Sequence, residues 1–223
     1  MGPSATVDFM HKIVEFTQAN SDQQHIPLLV ASMPDIPDRS HCLLRGGLSP
    51  LPALLSRLKL LEDAGSTCIV IPCNTAHFWF EQLQAATSAQ MLNLIDAVAA
   101  CALEKRLSKV GLLSTDATIA TRLYQTALEK RGIECIVPPD DLQKAMMEGI
   151  YLYKSGHLQE AQSLFKEPYL YLQRRQVEAI ILGCTEIPLI LSHEIAKQPH
   201  LFLDSNEVLA RAVIRWYEQQ SNC

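Results

Sequence analysis

Short apolar, often β-branched runs alternate along this chain with longer stretches of helical periodicity. Ile26–Val30, Cys68–Ile71, Met91–Ile95, Val110–Leu113, Ile133–Val137, Ala179–Leu182 and His200–Leu203 read as buried strands. Between two of them, Ser49 and Pro50 supply an N-cap and first-turn signal. Leu51, Leu54, Leu55, Leu58 and Leu61 then form one apolar stripe, and Gly65 closes the helix. Ile119, Leu123, Ala127 and Leu128, closed by Gly132, repeat that grammar. Strands separated by helices predict an α/β fold with parallel sheets.

The pattern occurs twice. Ala5-Thr6 falls on Ala117-Thr118, Cys73 on Cys184, and Ile95-Asp96 on Leu203-Asp204, in the same order and at nearly constant separation. Two pseudo-symmetric lobes follow: residues 1–97 with 206–223, carrying Cys73, and residues 98–205, carrying Cys184. The halves differ at their starts. Lys109–Ser114 forms a strand directly ahead of the turn at Thr115–Thr118, whereas the matching turn of the first half begins at Met1. The first strand of lobe 1 is therefore expected to be missing, and an intact lobe would need about seven to ten further residues for a strand and its loop.

A chain of 223 residues can bury a full core, as one large domain or two small ones. Nearly half of its residues are apolar, and its formal net charge is −5. It lacks the basic footprint of a nucleic-acid binder, so an anionic substrate would need local cations. No apolar run reaches the roughly 18 residues of a membrane span, and no charged-then-apolar leader opens the chain. A cytoplasmic protein without membrane or nucleic-acid partners is expected. Seven cysteines, without a C-x-x-C pair, fit reduced thiols better than a disulfide framework.

Two of those cysteines share a context. Cys73-Asn74-Thr75 and Cys184-Thr185-Glu186 each end an apolar strand, at the edge where open α/β sheets place their ligands. Backbone N–H groups of the following turn would favour a thiolate or hold a carboxylate. Removal of an amino-acid α-proton needs a positioned base and donors that stabilise the carbanion. Two thiols meet the symmetry of racemisation: one, as thiolate, takes the proton from one face, and the other, as thiol, donates to the opposite face. An ordinary cysteine pKa of about 8.5 needs only a modest fall for this work. Packing remains open for both residues, and for Cys42, Cys68, Cys101, Cys135 and Cys223 it is the favoured reading. Cys73 and His77 alone make a poor zinc site, which needs three or four clustered ligands, so His77 is expected to orient the loop or pack.

At these residues the chain resembles the cofactor-independent aspartate/glutamate racemase family, in its aspartate racemase branch. Pro72-Cys73-Asn74-Thr75-Ala76-His77 and Gly183-Cys184-Thr185-Glu186-Ile187 resemble its two catalytic signatures, and Pro34-Asp35-Ile36-Pro37-Asp38-Arg39-Ser40 resembles its substrate loop. The resemblance implies two lobes with four-stranded parallel sheets, commonly a homodimer, and neither pyridoxal phosphate nor metal. It makes Cys73 and Cys184 the acid/base thiols. Asn74, Thr75 and Thr185 would hold the α-carboxylate, and Thr115 would lie in the equivalent loop of the second lobe. Arg39 and Lys154 would meet the side-chain carboxylate of a dicarboxylic amino acid. The planar guanidinium of Arg39 suits that task independently, although a surface ion pair is its plainer reading. Lys154 could equally belong to a solvated helix face. Glu186 stands where the glutamate racemase branch carries a histidine, which favours aspartate.

The expected activity is interconversion of L- and D-aspartate, with glutamate as a further substrate. Hydantoin racemases and maleate isomerases resemble the same architecture and keep the two-cysteine reading open for other substrates. The shortened first lobe also leaves room for an inactive amino-acid-binding protein. A dithiol redox protein fits least, since thiols flanking a substrate carbon stand too far apart for a bond of about 2 Å.

Overall fold

A computed structural model describes residues 2–221. The chain divides into two compact units, Met1–Ala97 with Asn206–Cys223 and Val98–Ser205.

The first unit contains α1 (Pro3–Phe16), α2 (Arg39–Arg45), α3 (Leu51–Asp63), β1 (Cys68–Ile69), α4 (Phe80–Gln84) and β2 (Gln90–Met91), and the chain leaves it within α5 (Leu94–Glu104). Proline in the first turn of α1 costs no hydrogen bond, and Ala5, Phe9 and Ile13, spaced by four, make its buried face. Asp38 caps α2 by accepting from the His41 N–H at 2.8 Å. Around α3 the expected signals hold: Ser49 Oγ accepts from Leu51 N–H, Leu54 and Leu58 are buried, and Gly65 adopts φ +90° beyond the helix end. Leu54 and Leu58 join Ile36, Ile69, Trp79, Leu83, Ala89 and Met91 in one core.

β1 and β2 pair in parallel, Cys68 opposite Gln90 and Ile69 opposite Met91. Two expected strands need correction here. Ile26–Val30 is in no ladder, and among the described residues nothing pairs with the edge of β1 opposite β2. An apolar run becomes a strand only when a neighbour takes its backbone hydrogen bonds. Among the described residues this unit therefore has a two-stranded sheet, where four strands less a missing first one were expected. Strand β2 is also shorter than Met91–Ile95, because the Asn93 side chain accepts from Ile95 N–H (2.9 Å) and Asp96 N–H (3.2 Å) and starts α5 instead.

The second unit runs β3 (Lys109–Ser114), α6 (Asp116–Ala120), α7 (Leu123–Glu129), β4 (Glu134–Ile136), α8 (Asp140–Lys154), α9 (Leu158–Arg174), β5 (Ala179–Gly183), α10 (Ile187–Ile190), α11 (Ser192–Lys197) and β6 (Phe202–Asp204). Its sheet is parallel and four-stranded, in the order β4-β3-β5-β6, with Val110 opposite Ala179 and Ser114 opposite Gly183. The helix expected from Ile119 to Gly132 is broken at Arg122, whose φ of +55° separates α6 from α7. His200 and Leu201 lie in a 3-10 turn, and the final strand starts at Phe202. Leu113, Ile150, Phe165, Leu172, Ile180 and Leu182 are central to a large buried core. Helix α12 (Ser205–Ser221) returns the chain to the first unit, where Asn206 Nδ2 donates to Asp8 Oδ2 and to the Ala5 carbonyl. No helix among the described residues is long and apolar enough to cross a membrane.

Candidate active site

Cys73 lies just beyond β1 and is 8% exposed. Its N–H donates to the Ile71 carbonyl at 2.7 Å, which turns the chain sharply into the 3-10 helix Thr75–Trp79. His77 fixes that turn. Nε2 accepts from Leu94 N–H at 3.0 Å, which leaves Nδ1 as the protonated nitrogen, 2.9 Å from the Cys73 carbonyl it donates to. Burial pushes the imidazole down to about 4, against the opposing pull of its backbone hydrogen bonds. His77 is therefore a neutral clamp on the cysteine loop at physiological pH, in line with the orienting role expected of it. Asn74 and Thr75 are buried within the same turn.

Arg39 opens α2, which packs against that 3-10 helix. It is 7% exposed, which removes the surface ion pair as its explanation. Nη1 donates to the Ile36 and Pro37 carbonyls at 3.2 and 3.0 Å, and Nε has no partner. Among the described residues these are neutral acceptors, so the guanidinium is buried without a carboxylate. Such a cation is stabilised by an anion of matching fork geometry.

In the second unit the last residue of β5 is Gly183, where a side chain would not fit. A Cβ there would stand 2.8 Å from Leu112 Cδ1 and 2.9 Å from Ser114 Oγ. This close approach of β5 to β3 sets the position of Cys184, which is 6% exposed. The Cys184 thiol donates to Glu186 Oε2 at 3.0 Å, and Thr185 Oγ1 donates to the same oxygen at 3.2 Å. Lys154, at the end of α8, places Nζ 3.7 Å from Glu186 Oε1. Burial opposes the charge of Glu186, but the lysine and the thiol donor together hold its carboxyl below the usual range. Burial first, and then the Glu186 charge, push the Cys184 thiol well above its ordinary value. Cys184 is thus held as a protonated thiol. Thr115 caps α6: its Oγ1 accepts from Thr118 N–H at 3.2 Å.

Each unit therefore presents a buried cysteine beyond the carboxyl end of a parallel strand and ahead of a helical turn: Cys184 directly follows β5, whereas β1 stops at Ile69, short of the expected Ile71 and four residues before Cys73. The Asp/Glu/hydantoin racemase model matches residues 1–213. The chain belongs to this family. It is an isomerase of the racemase kind. The structure resembles Picrophilus torridus aspartate racemase with a TM-score of 0.86 and 33% identity, covering 96% of this chain and 89% of that one. The broad specificity amino-acid racemase RacX of Bacillus subtilis is 27% identical, over 97% of this chain and 95% of its own length. Francisella tularensis glutamate racemase shares the fold at 20% identity, with a TM-score of 0.66 over 97% of this chain and 78% of that one.

Within this racemase, the first unit gathers Arg39, Cys73, Asn74 and Thr75, and the second gathers Lys154, Cys184 and Thr185. Glu186 was not among the residues expected to act. Its sequence signal was an acidic side chain two positions beyond a strand-end cysteine, at a helix start. Lys154 has a partner that sequence did not assign to it, since its ammonium is paired with Glu186.

Proposed function

We propose that the chain racemises aspartate by a two-thiol reaction without a cofactor, with Cys73 and Cys184 as the acid/base pair. The observation that carries this reading is the duplicated buried cysteine in the loop that follows a parallel strand, one in each unit. Cys73, as thiolate, takes the α-proton and becomes a thiol. The Cys184 thiol then returns a proton to the carbanion and becomes the thiolate, so charge and protons balance. The hydrogen bond to Glu186 supports Cys184 as the resting donor. In the reverse direction the two exchange roles.

Backbone N–H groups around Asn74, Thr75 and Thr185 suit the α-carboxylate, with Thr115 in the corresponding loop of β3. Arg39 favours a dicarboxylic substrate, because its buried guanidinium meets only carbonyl oxygens and a second carboxylate would neutralise it. Lys154, whose ammonium stands 3.7 Å from Glu186 Oε1, is the second cation for the substrate's side-chain carboxylate. The homodimer implied by the family resemblance, and the cytoplasmic placement expected from the apolar pattern and the reduced thiols, are part of the same proposal.

The decisive experiment incubates L-aspartate, L-glutamate and neutral L-amino acids with the protein in heavy water. Expected is D-aspartate carrying deuterium at Cα, with glutamate slower and neutral amino acids slower still. Binding of aspartate without exchange would overturn the reading in favour of an amino-acid-binding protein.

A further inference from the structure

In the second unit a thiol and an ammonium stand on the two oxygens of one carboxylate. Cys184 Sγ donates to Glu186 Oε2 at 3.0 Å, and Lys154 Nζ lies 3.7 Å from Oε1. Thr185 Oγ1 also donates to Oε2, at 3.2 Å. Cys184 and Glu186 are buried, whereas the Lys154 side chain is 31% exposed. Of these three groups, an anion arriving from solvent meets the lysine first.

The lysine is also the loosest member of the set. A charge-assisted hydrogen bond from an ammonium to a carboxylate is about 2.7–2.9 Å long, so at 3.7 Å the pair attracts without a short bond. Lys154 is the last residue of α8, and its flexible stem can turn its donors elsewhere. Its charge nonetheless offsets the burial of the Glu186 anion. A buried carboxylate that loses its cation gains affinity for a proton. Of the two donors on Oε2, the thiol is by far the more acidic, and its proton already points along the bond.

We propose that Glu186 is a proton acceptor for Cys184, and that the side-chain carboxylate of a substrate triggers the transfer by drawing Lys154 away from Glu186. The S–H bond breaks, an O–H bond forms at Oε2, and the electron pair stays on sulfur. Negative charge thereby passes from the carboxylate to the thiolate. This rests on the two-thiol reading above, which needs Cys184 as the base for one enantiomer although the resting site holds it as a thiol. A ligand moves such an equilibrium only by interacting unequally with its two states. Ionised Glu186 competes for Lys154, and neutral Glu186 leaves it to the ligand. A neutral amino acid has no carboxylate to make that distinction, so selection for a dicarboxylate acts on the chemical step as well as on binding. Tyr124 of α7 also feels Cys184, but burial holds its phenol neutral and it adds no competing charge.

The test records infrared difference spectra of the unmodified protein with succinate, which has both carboxylates of aspartate and no stereocentre, and with propionate. Calorimetry sets equal occupancy. Expected with succinate is loss of one S–H stretch and gain of one protonated-carboxyl stretch, and with propionate neither. The S–H change should vanish in Cys184→Ala, and both changes should vanish in Glu186→Gln and in Lys154→Met. Succinate bound with the S–H stretch intact, an equal change with propionate, survival of both changes in Glu186→Gln, or failure of succinate to bind would each overturn the proposal. Exchange of the aspartate Cα hydrogen, followed in parallel, separates the two readings. Exchange with an unmoved S–H stretch overturns the trigger alone, and a moved stretch without exchange overturns the two-thiol reaction.

Discussion

The Cys184 thiol donates to Glu186 Oε2 at 3.0 Å, and the other oxygen of that carboxylate stands 3.7 Å from Lys154 Nζ. A buried anion beside a thiol stabilises the S–H form, and a cation behind the anion keeps it ionised. Glu186→Gln removes the charge and should lower the Cys184 pKa, so that alkylation at pH 8 becomes about tenfold faster. Mass-spectrometric alkylation rates between pH 6 and 10 would check this, and an unchanged Cys184 profile would remove Glu186 from control of the thiol.

Cys73→Ala and Cys184→Ala should each lower racemisation by about 10² to 10⁴-fold, the usual contribution of a positioned acid or base. Both substitutions leave a small apolar side chain, so circular dichroism and melting should change little. Polarimetry on aspartate reads the loss, and near-normal inversion in either variant would end the two-thiol assignment.

His77 holds two backbone groups at once. His77→Phe would leave the Leu94 N–H and the Cys73 carbonyl without their partner and should cost about 2–4 kcal/mol. Chemical denaturation would measure it.

The same residue sets a pH dependence. Its pKa is depressed from 6.5 to about 4, so the unfolded chain binds the proton more readily. The contribution of neutral His77 is complete above pH 6.5 and declines as pH falls toward 4, by at most about 1.4 kcal/mol per pH unit. Denaturation midpoints of the unmodified chain should fall through that window, and those of His77→Phe should fall less. Parallel curves would assign the acid sensitivity to other groups.

Arg39→Lys keeps the charge but loses the planar fork that spans the Ile36 and Pro37 carbonyls. KM for aspartate should rise about tenfold or more, and the preference for aspartate over a neutral amino acid should narrow. An unchanged preference would leave Arg39 only its support of the loop.

Much of the second unit was legible in sequence because its strands are continuous apolar runs and each has a neighbour to pair with. Val110–Leu113 and Ala179–Leu182 became the central ladder. Ile26–Val30 is also mostly apolar but forms no strand: Pro27 has no N–H to give a ladder, and an apolar run states what a segment can pair with and not whether it pairs. The break at Arg122 escaped periodicity because one positive φ interrupts a helix without disturbing its apolar spacing.

Local order along the chain determined the alternating elements, the repeated cysteine motif and the loop around Arg39, because hydrophobic period, turn residues and short motifs are written in consecutive positions. Tertiary structure alone decided that Arg39 is buried against neutral carbonyls, that His77 clamps the Cys73 loop, and that Lys154 and Cys184 meet at Glu186. Those relations join residues separated by up to tens of positions, and their protonation follows from burial and the nearest charges, which exist only once the chain has folded.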